Sequence, residues 1–289
     1  MEPVFTSSAL YGLLAMSGWG TVNLFTASLS RRIGAFKAAF LIQVFAIFPT
    51  LLLLPILGKD LILDQNFLYL GVLGVLSISG YLSLLKGYEE GTVSVIIPLT
   101  SFWAVITAIL SFVFLKEVIT GLKIMGMIIA FLGVILVSAN FKKILKERKV
   151  KVFEGVKWAS LTALLWGFQM FFLAFFSKKL GWYTANLGSR FWGAIAFLIL
   201  AFLLKKRFSH LLKKIPKLIL VVILLDVFTF VVFNIGLVRG EPAVVSVITS
   251  ASPLVTIILA AIFLKEKINF TQKIGILLIL AGAASLSLV

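Results

Sequence analysis

GEPAVVSVITSASPLVTIILAAIFLKEKINFTQKIGILLILAGAASLS, Gly240 to Ser287, decides how this chain is built. It reads as a long apolar helix, a charged break at Leu264-Lys265-Glu266-Lys267, and a second apolar helix. The same unit stands 149 positions earlier, from Gly91 to Ser138. Thr100-Ser101 falls on Thr249-Ser250, and Thr107 on Thr256. Phe114-Leu115-Lys116-Glu117 falls on Phe263-Leu264-Lys265-Glu266, and Gly126 and Gly133 on Gly275 and Gly282. Fifteen of the 48 aligned positions are identical, rare polar residues among them, so the unit is an internal repeat.

Composition sets the class. The 289 residues are 61% hydrophobic and 13% charged, with a mean hydropathy of +1.13, where a soluble domain carries about 25% charged residues. Apolar runs of the length needed to cross ~30 Å of hydrocarbon recur from end to end. The alternating pattern of a membrane barrel is absent. The fold class expected is an all-α polytopic membrane protein.

Ten spans fit, at about 4–28, 36–57, 66–87, 93–115, 119–140, 155–177, 184–204, 216–238, 243–264 and 270–289. They divide into a first five-helix repeat (1–140), a basic linker (141–154) and a second five-helix repeat (155–289). The first span lacks the basic start of a signal peptide and carries Trp19 and Asn23 deep inside, so it is expected to stay in the working protein. At an offset of 147, Trp19-Gly20 falls on Trp166-Gly167 and Gln43 on Arg190. Five is odd, so the second copy must enter the membrane the other way up. Such inverted repeats place a binding site near the midplane, here around a central cavity.

The net charge of +16 follows topology, not nucleic acid. Of the 27 Lys and Arg residues, 20 lie in loops on the linker side, six on the other, and Arg190 lies within a span. The positive-inside rule puts the linker in the cytoplasm and both termini outside, in the cell membrane, with Lys and Arg against lipid headgroups.

Polar side chains within spans are expensive and face bundle interiors or wet cavities. Ser8, Gly12, Ala15, Trp19, Asn23 and Thr26 share one face of span 1, and Trp158, Thr162, Trp166 and Gln169 one face of span 6. They read either as two walls of a substrate cavity or as interhelical glue. Arg190 lies in span 7 and Asp226 near mid-depth in span 8, with Thr229, Phe230, Phe233 and Asn234 on the same face. At the repeat offset Asp226 aligns with Ser77 and Phe230 with Tyr81. Arg190 suits an anionic substrate group such as a carboxylate, and Asp226 a cationic group or a coupling proton. Alternatively the two form a structural ion pair. Pro253 in span 9 frees the carbonyl at Thr249 and is the expected hinge. Pro98 does not align with it, so the halves are expected to bend differently. The paired Ser and Thr of spans 4 and 9 and the paired glycines of spans 5 and 10 read as packing seams. Lys116-Glu117 and Lys265-Glu266 read as helix-end caps at the interface.

No catalytic set, metal site or cofactor motif stands out. The sequence has no cysteine, no phosphate-binding Gly-rich loop and no HExxH, and its single His210 lies in a basic loop. Enzyme chemistry is therefore not expected.

Trp19-Gly20 and Trp166-Gly167, Arg190, and Pro253 with Glu266, Gly275 and Gly282 resemble the EamA branch of the drug/metabolite transporter superfamily over essentially the whole chain. The resemblance implies a ten-helix basket moving small metabolites, such as amino acids or related amphiphiles, often outward. Gln43 replaces an Arg often found in the first half, Ala104 stands where the equivalent of Pro253 would be, and the outside termini also depart from many relatives. The expected function is a secondary transporter or facilitator working by alternating access. Its substrate site would be lined by Trp19, Asn23, Gln43, Tyr81, Trp166, Gln169, Arg190, Asp226, Phe230 and Asn234. A lipid scramblase, an intramembrane enzyme and a non-transporting scaffold are the alternatives. The expected partners are a small-molecule substrate and lipid, and both a monomer and a homodimer fit.

Overall fold

The computed structural model describes residues 7–58, 61–90, 93–118, 120–138, 149–204, 217–263, 265 and 268–287. All regular structure among them is helical: α1 (Ser7–Ile33), α2 (Ala35–Phe45), α3 (Ile47–Leu52), α4 (Leu54–Leu57), α5 (Gln65–Tyr69), α6 (Gly71–Glu90), α7 (Val93–Thr100), α8 (Trp103–Phe114), α9 (Gly121–Ser138), α10 (Lys149–Leu180), α11 (Trp182–Leu203), α12 (Lys217–Arg239), α13 (Pro242–Ser250), α14 (Ser252–Phe263) and α15 (Phe270–Ser287). Among the described residues, eight helical segments are long and apolar enough to cross a membrane. Helix α1 has 27 residues but is not among the eight; its sequence includes Ser17, Thr21, Asn23 and Thr26. Phe36–Leu52 is apolar but shorter. Large apolar side chains stay exposed on many of the helices, Phe114, Leu132, Phe202, Phe228 and Leu277 among them. Such a surface suits hydrocarbon and not water.

Some expectations fall on undescribed residues: His210, Gly91, Pro216, Glu266, Lys267 and positions 141–148 of the linker lie outside them. The rest of the linker differs from expectation. Helix α10 begins at Lys149 and runs 32 residues, so Lys149–Glu154 is helix. No Gly or Pro interrupts that stretch, and Glu154 pairs with Lys157 one turn on.

Several contacts occur twice at the repeat offsets. The Thr107 hydroxyl of α8 donates to the Gly167 carbonyl of α10 at 3.1 Å, and the Thr256 hydroxyl of α14 donates to the Gly20 carbonyl of α1 at 2.9 Å. A methyl on Gly167 would meet Ile106 Cβ at 2.6 Å, and one on Gly20 would meet Val255 Cβ at 2.5 Å, the position 149 residues on. Only glycine permits so close an approach. Gly34 and Gly181, 147 apart, both take a positive φ, 89° and 84°, where α1 turns into α2 and α10 into α11. Among the described residues, Lys116 and Lys265, 149 apart, are the two non-glycine residues with positive φ, at 54° and 55°.

Helices α9 and α15 form the most extensive pairing in the bundle. Methyls on Gly126 and Gly133 would approach the carbonyls of Gly282 and Gly275, at 3.3 and 2.7 Å. Rising number on one helix meets falling number on the other, so the two run antiparallel through a glycine seam.

The bend of spans 4 and 9 departs from expectation. Both break at the same register, between α7 and α8 at Ser101-Phe102 and between α13 and α14 at Ala251. Phe102 N–H bonds to Leu99 O and Ala251 N–H to Ile248 O, each three residues back. Pro253 follows one break and Pro98 precedes the other, so proline placement does not set the register. A hydroxyl bonds back into the turn at each break, from positions one residue apart in the repeat. Thr100 donates to Ile97 O at 2.9 Å and Ser250 to Val247 O at 2.8 Å, which tightens the last turn.

Glu117, just past α8, is a cap for a different helix. Its Oε2 accepts from the Ala243 N–H at the start of α13, at 3.1 Å, and its Oε1 lies 3.7 Å from Lys178 Nζ of α10. Nearby, Lys123 of α9 pairs with Glu241 at 2.7 Å. Burial pushes the Glu117 carboxyl above its ordinary 4.5, with the Ala243 N–H and Lys178 pulling the other way and Glu241 adding to the rise.

Two outcomes follow. Gly133→Ala should lower stability by about 1–3 kcal/mol through overpacking, while Gly121→Ala on the same helix, with nothing within 4 Å, should leave the detergent melting temperature unchanged. For Glu117, a raised folded-state pKa means the folded chain holds the proton more tightly than the unfolded one. Its favourable contribution is full below pH 4.5 and is lost as pH rises through the folded value. Melting temperatures of wild type should therefore fall with rising pH above 4.5 relative to Glu117→Gln, whose curve lacks this slope.

Candidate functional site

The site is built where α1, α2, α6, α10, α11 and α12 converge. Arg190 lies eight residues past the start of α11 and Asp226 nine past the start of α12, roughly 12–14 Å along each axis. Both are buried, at 3% and 7% exposure. Arg190 Nη2 sits 2.6 Å from Asp226 Oδ2, an ionic contact and not an aligned hydrogen bond, since it also donates to the Asp226 carbonyl at 3.3 Å. Arg190 Nη1 reaches Gln43 Oε1 of α2 at 3.5 Å. The guanidinium also lies 4.2 Å from the centre of the Phe230 ring, an attraction strengthened by the dry surroundings.

Aromatic rings extend the cluster both ways. Phe230 meets Trp19 of α1 edge-on at 6.0 Å, and Trp19 meets Phe233 at 5.1 Å. On the other side Tyr81 of α6 packs edge-on against Trp166 of α10 at 5.6 Å and Phe197 of α11 at 5.4 Å. The Tyr81 hydroxyl also lies beside the Gln43 side chain. The structure thus joins Trp19, Gln43, Tyr81, Trp166, Arg190, Asp226 and Phe230 in one connected group.

Three expected residues stand apart from that group. Asn234 is fully buried; its Nδ2 donates to Phe230 O and its Oδ1 accepts from the Ser177 hydroxyl of α10. Its amide therefore ties α12 to α10. Asn23 is exposed, one turn beyond Trp19 on α1, and Gln169 is buried on α10. Trp158, read as part of the same wall as Trp166, instead donates to Glu90 Oε2 at 2.8 Å, at the far end of α6. Pro253 is the second residue of α14, just past the break at Ala251. The structure adds Phe197, two turns past Arg190 on α11, and brings in Phe233 from the face of Asp226. Among the described residues no group of His, Cys, Asp or Glu is placed to hold a metal.

An apolar bundle has few ways to keep a guanidinium. Here one carboxylate, one amide and one ring surround it, yet Arg190 Nε has no partner, and neither does the Asn186 Nδ2 one turn earlier. Removing either charge strands the other. Arg190→Ala and Asp226→Ala should each lower stability by about 3–5 kcal/mol, while the double change Arg190→Met with Asp226→Leu should restore most of it; thermal unfolding of the four proteins checks this.

Comparison with known proteins adds the context. The profile of the EamA-like transporter family matches the chain twice, over residues 6–139 and 153–288. An uncharacterized transporter of Clostridium kluyveri is 26% identical over 266 residues, 86% of this chain and 83% of that one. An uncharacterized protein of Methanocaldococcus jannaschii is 29% identical over 135 residues, 46% of this chain and 98% of that one. A crystal structure of a protein only 17% identical superposes with a TM-score of 0.79 over 98% of this chain and 96% of the other, a likeness of fold alone.

Proposed function

The chain belongs to the EamA-like transporter family and is a multi-pass membrane transporter, and from this we propose a secondary carrier or facilitator for a small carboxylate-bearing metabolite, such as an amino acid. The observation that carries the reading is the buried Arg190–Asp226 pair among aromatic rings at the meeting of six helices. In this reading the substrate carboxylate takes the planar fork of Arg190. Asp226, released from Arg190, takes the cationic end of the substrate or a coupling proton. Trp19, Tyr81, Trp166 and Phe230 supply faces for the apolar part, and Gln43 a polar edge.

The proposal uses ten crossing segments, the eight apolar ones with α1 and Phe36–Leu52 added. They form two five-helix halves, 1–140 and 155–289, the second inverted, with residues 141–154 joining them on the cytoplasmic side and both termini outside. The twofold family match and the half-length archaeal relative support two halves. The exchanged Thr–carbonyl bonds, the antiparallel glycine seam, and the contact of Gln43 with Arg190, its own repeat equivalent, support a twofold relation through the site. Alternating access would then rock one half against the other, the breaks at Ser101-Phe102 and at Ala251, beside Pro253, acting as hinges.

The double variant separates this reading from a purely structural pair. Arg190→Met with Asp226→Leu, folded and reconstituted in vesicles, should show at least tenfold slower counterflow of L-alanine, L-leucine or L-phenylalanine than wild type. A loss of that size matches removal of one charge-assisted hydrogen bond, about 1.5–3 kcal/mol. Counterflow at the wild-type rate would leave the pair without a part in transport.

A further inference from the structure

One face of α11 carries more unfilled capacity than the rest of the cluster. At 100° per residue, Asn186, Arg190, Gly193 and Phe197 fall within an arc of about 60°. Phe197 is in contact with Tyr81, and Arg190 with Asp226. The other two are unmatched. Asn186 is 1% exposed, and its Nδ2 has no partner. Gly193 is buried, yet a methyl placed on it would meet no atom within 4 Å. The other glycines with that much room, Gly34, Gly121 and Gly181, are exposed.

Glycine in mid-helix costs about 1 kcal/mol relative to alanine. Many of the described glycines repay that by close approach or by a positive φ, as at Gly20, Gly133 and Gly181. Gly193 has neither a close neighbour nor an unusual φ. What it leaves is space on the same face of α11 that carries the buried, unpartnered donors Arg190 Nε and Asn186 Nδ2. A buried donor without a partner costs 1–3 kcal/mol unless something occupies it.

We propose that this face is the bed of the substrate site. Asn186 and Arg190 Nε hold the two oxygens of a carboxylate, and the room in front of Gly193 admits the substituent next to it, so that Gly193 sets the size limit of the substrate. The assignment rests on the carrier reading above and adds two residues to it. Because the chain has no cysteine, single cysteines report without background. In proteoliposomes, Gly193→Cys should react with 2-aminoethyl methanethiosulfonate at least tenfold faster than Ala174→Cys, a fully buried packing position. Reaction as slow as at Ala174 would mean a sealed packing void and would overturn the proposal, whatever the protein transports. L-Leucine should slow the labelling of Gly193→Cys, and adding Asn186→Leu should remove that protection; protection that survives Asn186→Leu takes Asn186 out of the site. Finally, Gly193→Val should lower the counterflow of L-leucine and L-phenylalanine at least tenfold more than that of glycine. An effect uniform across the series, or none, also overturns the size limit. A wild type that moves none of these probes sinks the amino-acid reading of the previous subsection, while the labelling result still decides the Gly193 space.

Discussion

A guanidinium in the middle of an apolar bundle is the constraint on which the arrangement turns. Hydrocarbon supplies no hydrogen bonds, so every polar group at that depth must be met by the protein. Arg190 at 3% exposure is met by Asp226 from α12, Gln43 from α2 and the face of Phe230. Those partners require α2, α11 and α12 to meet at one depth. Tyr81 then brings α6 to the same point beside Gln43, and Trp19 ties α1 through Phe230. A well-packed apolar replacement for such a pair is often at least as stable. Stability alone is therefore a weak reason for a chain this apolar to carry the pair.

The frame around that point is made from contacts used twice. Thr107 to Gly167 and Thr256 to Gly20 are one geometry at two places, and each joins a helix of one segment to the Trp-Gly turn of the other. Neither bond forms within a single copy of the repeated unit. Each copy is therefore completed by the other, as small stacked units that cannot bury a face alone generally are. The backbone carries the same signature. The positive φ values at Gly34 and Gly181 agree within a few degrees, as do those at Lys116 and Lys265. Conformations this sparsely populated recur at matched positions because matched surroundings impose them.

Much of this was legible in the sequence because polar and glycine residues stand out against an apolar background. Trp19 and Trp166, Arg190 with Gln43, and the four seam glycines could all be picked out by spacing, and the structure sets each pair at a shared contact or an equivalent one. Spacing gives the face of a helix but not the neighbour that fills it. Asn234 lies on the predicted face, yet its amide is engaged by Ser177. Trp158 shares a stripe with Trp166 and is drawn off by Glu90, 68 positions away in the chain. The bend of spans 4 and 9 was hidden for another reason. Proline is the loud signal there, yet the two breaks share a register that neither proline position marks. Gly193 could not be read at all, since a glycine that makes room and one that permits contact are the same letter.

Among the described residues, the charged ties at the two ends of the bundle differ in burial, and that bears on how each end opens. At one end Glu117 is buried and accepts from the first turn of α13, Lys123 at 7% exposure pairs with Glu241, and the Ser8 hydroxyl accepts from the Glu241 N–H. At the other, Lys86, Glu89 and Glu90 pair while largely open to solvent, with Trp158 the main inter-helix tie. Exposed pairs contribute about 0–1 kcal/mol and weaken with salt, whereas parting buried ones strands charge out of water. A rocking motion would therefore meet more resistance at the Glu117 end. Burial raises the Glu117 carboxyl, so the packed arrangement holds its proton more tightly than an exposed one would. Acid therefore favours the closed Glu117 end, and rising pH is what loosens it.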